Sequence, residues 1–423
     1  MSTPSHAGLT FATFRAAEQP ERLDGWYEAH ARGFHQGRTS EESRRHFREH
    51  LDADDVVLRG VWLESPALGS GTIPVATYSS YDKTINTGRG LQAVRLVSDV
   101  TVGPTHRRRG LLRALMTDDL RDAVEQGVPL AVLTASEGSI YGRFGFGPAV
   151  FQHSLTVDTG PRFAVRGPAD DGTVELLEPA EAWPSVAAVF GRFHERTRGS
   201  VERPRFYETI LTAEFDFESG PDGKLRTAVH LDATGAPDGY VAYRPGPRKD
   251  GHRAIHVTDL VAITPAAHLR LWRFLADLDL SDTVEWDHAP VEDPLWWALV
   301  DPFQARVTRL SDALWARVLD VPAALAARPW GHDGEVVLEV ADPLGHAAGR
   351  FRVVTRDGTA EVTRTDAEAT VLLEAETLGA LHLGGVRADT LRRAGRLTGS
   401  DDALATWAAM VDTGPAPYCL TGF

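Results

Sequence analysis

Three consecutive arginines followed by a glycine, Arg107 to Gly110, form the segment of the sequence best suited to bind an anion. A β-branched segment at 97–102 precedes them and an amphipathic helical pattern at 112–124 follows, so we expect a turn at a helix N-terminus. Such a turn offers free backbone N–H groups and the positive end of the helix dipole to a pyrophosphate. Gly110 would let a phosphate approach the backbone closely. The segment has neither the P-loop pattern nor the dinucleotide-binding fingerprint.

The charge of the whole chain makes this turn unusual. The 423 residues contain 44 Lys and Arg against 59 Asp and Glu, which gives a formal net charge of −15. An acidic chain disfavours nucleic acid and anionic membranes as partners and favours cationic small molecules. Three adjacent arginines in such a chain indicate a local anion site, with a solvated basic loop as the alternative interpretation.

Two further segments could take part in chemistry. The last eleven residues, 413–423, carry no charged side chain, which predicts a tail that docks onto the protein rather than a disordered one. Tyr141 could donate a proton, although on these residues alone a tyrosine close to Phe144 and Phe146 is better explained as a packed aromatic residue.

The elements that must position these residues occur twice. Residues 97–115 align without gaps with residues 257–275, and each copy has the pattern of a strand, a turn and an amphipathic helix. Where the first copy has His106 to Gly110, the second has Ala266 to Arg270, so the packing residues are kept and the basic turn is lost. A duplicated fold with one retired site is the simplest account.

The rest of the chain has a different pattern. Pro/Gly-rich stretches at 158–162 and 166–172 predict a boundary after the first unit. Beyond the second unit the pattern predicts a helix at 310–318, strands at 335–340 and 349–354, and helices at 374–383 and 403–411. We therefore expect three domains, at 1–155, 156–305 and 306–423, the last of them an α+β unit.

Composition also limits the compartment and the metal chemistry. Cys419 is the one cysteine, so the sequence predicts no internal disulfide and no Cys-rich zinc site. No stretch reaches the ~18 apolar residues of a membrane helix, and residues 1–6 lack the pattern of a targeting segment. We expect a cytoplasmic protein without a bound metal. His46 and His50 fit a His-x-x-Glu-His motif, which we interpret as a charged, solvated helix face.

Two runs carry a family resemblance, Val100-Thr-Val-Gly-Pro-Thr-His-Arg-Arg-Arg-Gly-Leu-Leu-Arg113 and Ala135-Ser-Glu-Gly-Ser-Ile-Tyr-Gly-Arg-Phe-Gly-Phe-Gly-Pro148. They resemble the GNAT acetyltransferases, and within these the Eis family. The second run is the more specific, because in the first the general GNAT signature has Leu112 at its last position. The resemblance covers the whole chain and implies a mixed α/β (α+β) architecture: two tandem GNAT folds, the second degenerate, followed by a sterol-carrier-like α+β domain. Family members also end in Phe, as this sequence does at Phe423.

The resemblance implies an N-acetyltransferase that uses acetyl-CoA and no metal. It places the acetyl-CoA contacts on the backbone of Val100, Thr101 and Val102, on the turn residues Arg108, Arg109, Gly110, Leu111, Leu112 and Arg113, and on Ser136 and Glu137. A pantetheine arm can pair with a strand edge like an added strand while the turn holds the pyrophosphate. The resemblance also implies Tyr141 as the general acid and the free carboxylate of Phe423 as the general base.

The acid and the base differ in how well they suit these roles. A tyrosine with a reference pKa of about 10 matches a thiolate leaving group of similar basicity. An α-carboxyl with a pKa of about 3.5 is a poor base for an ammonium of about 10, so it needs partial desolvation or a relaying water.

The acceptor is the part of the function that the sequence leaves open. The resemblance implies aminoglycosides, while polyamines and lysine side chains are alternatives, and a homo-oligomer, hexameric by analogy, is expected. A non-catalytic carrier of a lipid or a protein partner is the alternative of a different class. Trp26, Tyr27 and Phe34 precede the first sheet and are predicted to form one wall of the acceptor pocket.

Overall fold

A computed structural model describes residues 6–69, 71–217, 219–249 and 251–423. The expectation that residues 1–6 lack a targeting segment rests mostly on residues 1–5. These five residues lie outside the described ranges. Among the helices of the described ranges, none has both the length and the apolar character needed to cross a membrane.

The first unit interleaves strands with helices. Its strands are β1 (Leu9–Phe14), β2 (Val57–Leu63), β3 (Ala76–Asn86), β4 (Leu91–Val102), β5 (Leu130–Leu133) and β6 (Gly147–Asp158). Its helices are α1 (Pro20–Gly33), α2 (Glu41–Ala53), α3 (Leu111–Glu125) and α4 (Gly138–Tyr141), with short 3-10 helices at Pro104–His106 and Gly142–Phe144. The predicted strand, turn and amphipathic helix around the arginines are therefore confirmed.

The second unit repeats the same order of elements. Its strands are β7 (Thr173–Leu177), β8 (Arg226–Leu231), β9 (Pro237–Lys249), β10 (His252–Ala262), β11 (Ser281–Pro290) and β12 (Ala305–Val318). Its helices are α5 (Pro179–Arg196), α6 (Phe206–Leu211), α7 (Pro265–Ala276) and α8 (Leu295–Ala298), with a 3-10 helix at Pro302–Gln304. Two helices follow the first strand in both units, and β4–α3 corresponds to β10–α7, so the repeat seen in the sequence is a repeat of the fold.

The two units share one sheet of twelve strands. Its order is β1-β2-β3-β4-β5-β12-β6-β11-β10-β9-β8-β7. The two units exchange their last strands: β12 pairs with β5 of the first unit, and β6 pairs with β11 of the second. In each half one neighbouring pair is parallel, β4 with β5 and β10 with β11. Because each unit completes the other's sheet, the two halves are joined by main-chain hydrogen bonds as well as by sequence.

The third unit has a separate sheet of five strands in the order β15-β14-β13-β16-β17. Its strands are β13 (Gly334–Ala341), β14 (Gly349–Arg356), β15 (Thr359–Arg364), β16 (Val371–Glu374) and β17 (Leu397–Gly399). Its helices are α9 (Val321–Ala326), α10 (Ala375–His382), α11 (Ala388–Arg393) and α12 (Asp401–Val411). The strands predicted at 335–340 and 349–354 and the helices predicted at 374–383 and 403–411 are confirmed.

The helix predicted at 310–318 is wrong, because these residues belong to strand β12. Register shifts interrupt the pairing of β12 with β6 between Val307 and Arg309 and again near Leu314. Each shift offsets the two-residue alternation of a strand, so the buried positions no longer follow the period that identifies strands in sequence.

The helices of the first unit cover opposite faces of its sheet. Helix α3 packs through Leu115, Met116 and Leu120 in one buried cluster that also contains Val97. Helices α1 and α2 pack in another cluster, which contains Leu96 of the same strand. Strand β4 therefore lies between α3 on one face of the sheet and the α1–α2 pair on the other.

Candidate active site

Strands β4 and β5 separate at their carboxyl ends. Their parallel pairing extends from Arg95 with Ala131 to Val97 with Leu133 and then stops, while β4 remains paired with β3 on its other side as far as Val102. The predicted residues Val100, Thr101 and Val102 thus lie on an edge that faces the gap and is unpaired by β5. Such an edge can accept an amide chain as an added strand.

The turn before α3 leaves its backbone donors free. Gly110 is the N-cap in a left-handed conformation with φ 78°, and no side chain caps the helix. Within the described residues, no main-chain N–H from Arg108 to Arg113 donates a hydrogen bond. The corresponding helix α7 of the second unit has Pro265 in its first turn and Thr264 as its N-cap, whose hydroxyl accepts from the N–H of Ala267 at 3.1 Å. The first unit thus keeps free donors for an anion where the second satisfies one of its own.

The arginines of this turn lack anionic partners. Arg107 and Arg108 are exposed, and in the part of the chain that the structure describes neither they nor Arg109 and Arg113 form an ion pair. The guanidinium of Arg113 lies 5.7 Å from the ring centre of Phe144. Burial and then the charge of Arg109 lower the pKa of His106. The turn is therefore a concentration of unpaired positive charge on an acidic protein, which fits a pyrophosphate.

The loop after β5 holds three of the predicted site residues. Ser136 and Glu137 are exposed, and Glu137 is the N-cap of α4. Tyr141, at the end of α4, is buried, and its ring centre lies 6.5 Å from that of Phe146 in an edge-to-face arrangement. Within the described residues its hydroxyl has no hydrogen-bond partner. Burial, and secondly the charge of Glu137, raise the pKa of Tyr141, so the phenol stays protonated at neutral pH.

Contacts with the third unit fix the loop that carries Tyr141. Gly147 lies so close to α10 that a Cβ there would collide with the carbonyl oxygen of Glu376. Arg317 of β12 is buried, donates to the carbonyl of Phe144 and forms an ion pair with Asp342 at 2.8 Å. Close packing between units therefore requires glycine at position 147 and holds the main chain of Phe144 in place.

The end of the chain contacts the first residue after β5, where β5 and β4 separate. The hydroxyl of Thr134, the first residue after β5, donates to the main-chain oxygen of Phe423 at 2.7 Å, across 289 residues of sequence. Phe423 is half-buried, and its side chain packs against the same cluster as α1 and α2. The prediction that the tail docks onto the protein is confirmed. The structure thus brings Phe423 to the strand–loop segment that carries Ser136, Glu137 and Tyr141.

An aspartate–histidine pair that the sequence analysis did not single out lies on the α1–α2 side of the gap. Asp99 has φ 54° at an irregularity in β4, and its carboxylate contacts His30 Nε2 of α1 at 3.0 Å. The hydroxyl of Ser79 also donates to Asp99, at 2.5 Å. Burial opposes ionisation of Asp99, but the charge and hydrogen bond of His30 outweigh it and keep the pKa of Asp99 below its usual value. A β-bulge aspartate has no short-range sequence signal beyond its recurrence as Asp259.

The predicted aromatic wall of the acceptor pocket is wrong for two of its three residues. Trp26 is fully buried and donates to the carbonyl of Arg59 at 2.8 Å, and Tyr27 is buried with its hydroxyl 2.7 Å from that of Ser43. Both pack in the core because they lie on the inner face of α1. Phe34 is 43% exposed and lies beside the ring of His30, so it is the member of this set that can face a ligand.

The His-x-x-Glu-His motif lies on α2, but the expected solvated face is only partly found. His46 is buried against the ring of Phe215, and His50 contacts Asp54 at 2.9 Å. Over the described ranges, no group of three or more His, Cys, Asp or Glu residues is arranged to hold a metal ion.

Comparisons with known proteins agree with this architecture. Residues 13–149 and 199–318 match two families described as acetyltransferase (GNAT) domain, and residues 321–420 match the sterol carrier protein domain. The chain is 38% identical over 343 residues to N-acetyltransferase Eis of Mycobacterium tuberculosis (strain ATCC 25177 / H37Ra), covering 79% of this chain and 82% of that protein. It is 36% identical over 356 residues to an uncharacterised N-acetyltransferase of Streptomyces griseus, covering 82% and 86%.

A solved structure extends the similarity to nearly the whole chain. The crystal structure of Eis1 from Mycobacterium abscessus superposes with a TM-score of 0.81 at 30% sequence identity, covering 98% of this chain and 100% of that one. The two GNAT folds and the sterol-carrier-like unit inferred from the sequence are thus the architecture of the protein.

Proposed function

Because the chain belongs to the Eis family of GNAT N-acetyltransferases, we propose that it transfers the acetyl group of acetyl-CoA to an amino group of a cationic small molecule, with aminoglycosides as the favoured class. The observation that supports this best is the contact of Phe423 with Thr134 beside the open edge of β4. We further propose that residues 1–155 are the catalytic domain, that the degenerate GNAT domain begins at 156, and that the sterol-carrier-like domain extends to 423 and supplies the tail. The boundary predicted between the last two at 305/306 falls at the start of β12, which completes the GNAT sheet, so we place it after Val318.

Acetyl-CoA would bind along the gap between β4 and β5. The backbone of Val100, Thr101 and Val102 would pair with the pantetheine amides, and the free N–H groups of the basic turn would receive the pyrophosphate. The unpaired side chains of Arg108 and Arg109 and the nearby Arg113 would add charge-assisted hydrogen bonds. Ser136 and Glu137, exposed at the start of α4, would border the thioester end.

Two residues would then handle protons. The acceptor ammonium loses a proton through a water to the Phe423 carboxylate, and the neutral nitrogen attacks the thioester carbonyl carbon. As the tetrahedral intermediate collapses and the C–S bond breaks, the hydroxyl of Tyr141 gives its proton to the departing thiolate. The acetylated nitrogen loses its second proton to solvent and becomes the neutral amide. Exchange with solvent then reprotonates Tyr141 and deprotonates the Phe423 carboxyl. The raised pKa of Tyr141 supports this role, because burial keeps the hydroxyl protonated before the thiolate forms.

The acceptor would approach from the α1–α2 side. The carboxylate of Asp99 lies there, paired with His30, and the exposed face of Phe34 is adjacent to that imidazole. A carboxylate beside an aromatic ring suits an ammonium group. The net charge of −15 would attract polycations to the same surface.

The proposal is tested by binding followed by turnover. Calorimetry of the full chain with acetyl-CoA should give one site per chain, and adding kanamycin should release free CoA thiol. Spermidine and a lysine-containing peptide are compared as acceptors, and a higher kcat/KM for either would reassign the acceptor class. Absence of acetyl-CoA binding would refute the enzyme and favour a carrier.

Neutralising the turn is expected to weaken cofactor binding. Loss of one charge-assisted hydrogen bond costs about 1.5–3 kcal/mol, so Arg108→Gln with Arg109→Gln should raise the acetyl-CoA dissociation constant by about 100-fold or more. Calorimetry measures the change directly. Arg121→Gln on the same helix is the matched control, because its guanidinium contacts Asp118, 3.1 Å away, and is far along α3 from the turn. Equal losses in both variants would point to bulk charge rather than a site.

Removing the hydroxyl of Thr134 is expected to slow turnover without affecting cofactor binding. Thr134→Val deletes the hydrogen bond that orients the Phe423 carboxylate, so kcat should fall by about tenfold, which corresponds to one hydrogen bond to a charged group. Steady-state kinetics with acetyl-CoA and kanamycin test this. Thr406→Val serves as the control, since among the described residues that hydroxyl donates only to the carbonyl of Asp402 in its own helix. An unchanged kcat in Thr134→Val would show that the hydrogen bond from Thr134 does not orient the Phe423 carboxylate for catalysis.

A further inference from the structure

Two parallel strands of the second unit separate at the position where β4 and β5 separate in the first unit. The parallel pairing of β10 with β11 ends at Val257 with Trp286, just as that of β4 with β5 ends at Val97 with Leu133. In the second unit the C-terminal tail runs over the following part of β11. The hydroxyl of Tyr418 donates to the carbonyl of His288 at 2.6 Å, and its N–H donates to the carbonyl of Arg198 at 2.8 Å.

The aspartate of the repeat has a different partner in each unit. Asp99 is paired with His30 beside the open gap, whereas its equivalent Asp259 is buried and accepts from Arg203 at 2.6 Å and from the hydroxyl of Tyr240 at 2.7 Å. The Arg203 guanidinium lies in turn 4.5 Å from the ring centre of Tyr207. In the second unit this aspartate therefore supports an internal cluster, Asp259–Arg203–Tyr207.

This cluster ends on the last residues of the chain. The hydroxyl of Tyr207 accepts from the N–H of Gly422 at 2.8 Å and donates to the carbonyl of Leu420 at 3.1 Å. Burial, partly opposed by the charge of Arg203, raises the pKa of Tyr207 to about 12, so the hydroxyl stays protonated and able to make both bonds. Thr421 donates from its side chain to the carbonyl of Val201 at 2.6 Å. The peptide units next to Phe423 are thus fixed by the second unit.

We propose that the degenerate GNAT unit serves as the binding site for the chain's own C-terminal peptide, residues 418–423, and that Tyr207 is the positioning residue that delivers the Phe423 carboxylate to Thr134. The inference rests on the proposed function, because the carboxylate has a task only if the first unit is catalytic. It gives the second unit a role beyond packing: the unit that lost its basic turn holds a peptide ligand that completes the active site of its neighbour.

The decisive variant removes one oxygen atom from the full chain. Tyr207→Phe keeps the ring under Arg203 and deletes both hydrogen bonds to the tail. We expect kcat to fall about tenfold or more, with the acetyl-CoA dissociation constant unchanged. Tyr243→Phe is the matched control, because that tyrosine is buried in the same unit and its hydroxyl has no hydrogen bond among the described residues. If Tyr207 acts by positioning the Phe423 carboxylate, its loss has no further effect once that carboxylate is displaced. A chain with Tyr207→Phe that also lacks Phe423 should therefore be no slower than a chain that lacks Phe423 alone.

A peptide supplied in trans tests the site independently. A chain that ends at Pro417 is combined with a synthetic peptide of residues 418–423, Tyr-Cys-Leu-Thr-Gly-Phe, and CoA thiol release is followed against peptide concentration. Saturable recovery is expected, with a half-saturating concentration about tenfold higher in a Tyr207→Phe background. The same peptide with a C-terminal amide should compete for binding without restoring activity.

The outcomes separate the two proposals. If Tyr207→Phe in the full chain retains wild-type kcat, and peptide recovery does not depend on Tyr207, the tail site is overturned while the proposed function stands. If the amidated peptide restores turnover as well as the free acid does, the carboxylate is not the base, and the tail site remains. A Tyr207→Phe loss that adds fully to the loss from deleting Phe423 would mean a general structural effect and would also overturn the inference.

Discussion

A chain that ends at Gly422 is expected to turn over its acceptor about 10²- to 10³-fold more slowly than the full chain, within the range for loss of a positioned general base. The shortened chain still ends in a carboxylate, but consecutive Cα atoms are 3.8 Å apart, so this group is displaced by about that distance from Thr134. A base must lie within hydrogen-bond reach of its proton, directly or through one water. CoA thiol release under saturating substrates measures the loss, and calorimetry should find acetyl-CoA binding unchanged.

Two controls separate the position of the carboxylate from the loss of a side chain. Phe423→Leu keeps the carboxylate and an apolar side chain, and it should retain most of kcat. One glycine added after Phe423 keeps every side chain but moves the carboxylate and converts the oxygen at Thr134 into an amide carbonyl, so it should be as slow as the deletion. Turnover within threefold of wild type for both the deletion and the extension would exclude the terminal carboxylate as the base.

Local sequence signals predicted the elements of the first unit well. The arginine turn, the strand before it and the helix after it are defined by adjacent residues, and α3 ends where Gly127 adopts φ 75°. The repeat at an offset of 160 residues extended this prediction to the second unit, because the packing residues Val257 and Leu271 are kept there. These features depend on short-range periodicity, which single sequences record directly.

Features that depend on distant contacts could not be predicted in this way. The exchange of β6 and β12 between the two halves of the sheet is determined by pairing partners more than 120 residues apart, such as Val284 with Val157 and Trp315 with Leu133. Bulges in β12 also hide its strand period. The same limit applies to the site: the predicted tail was found docked, but its hydrogen bond from Thr134 spans 289 residues and has no local signal.

The acceptor side shows why residue types alone mislead. Trp26 and Tyr27 are the most conspicuous aromatics of α1, yet both are buried, because the inner face of an amphipathic helix attracts the largest apolar side chains. The polar pair that faces the gap, Asp99 with His30, joins a strand irregularity to a helix 69 positions away in sequence. An aspartate in a left-handed conformation within a strand is compatible with sequence but not predictable from it.

Replacing Tyr141 by phenylalanine is expected to lower kcat by about 100-fold with little change in the acetyl-CoA dissociation constant, since the general acid acts after binding. The ring is retained, so its edge-to-face contact with Phe146 and the melting temperature should be unchanged. Burial and the charge of Glu137 raise the pKa of Tyr141 above its usual value. An acid must be protonated to act, so wild-type kcat should be independent of this group at neutral pH and fall only as the pH rises through that raised pKa.

The pH profile distinguishes an acid from a packing residue. In Tyr141→Phe the fall of kcat at high pH should disappear, because no group in the variant loses the relevant proton. Glu137→Gln removes a nearby negative charge that raises the pKa of Tyr141, so the alkaline limb should move to lower pH. If Tyr141→Phe retained both the rate and the alkaline limb of the wild type, proton delivery to the thiolate would have to come from solvent. If instead Tyr141→Phe were slow and its melting temperature were also clearly lower than that of the wild type, Tyr141 would be a packing residue of the core, like Phe144 and Phe146.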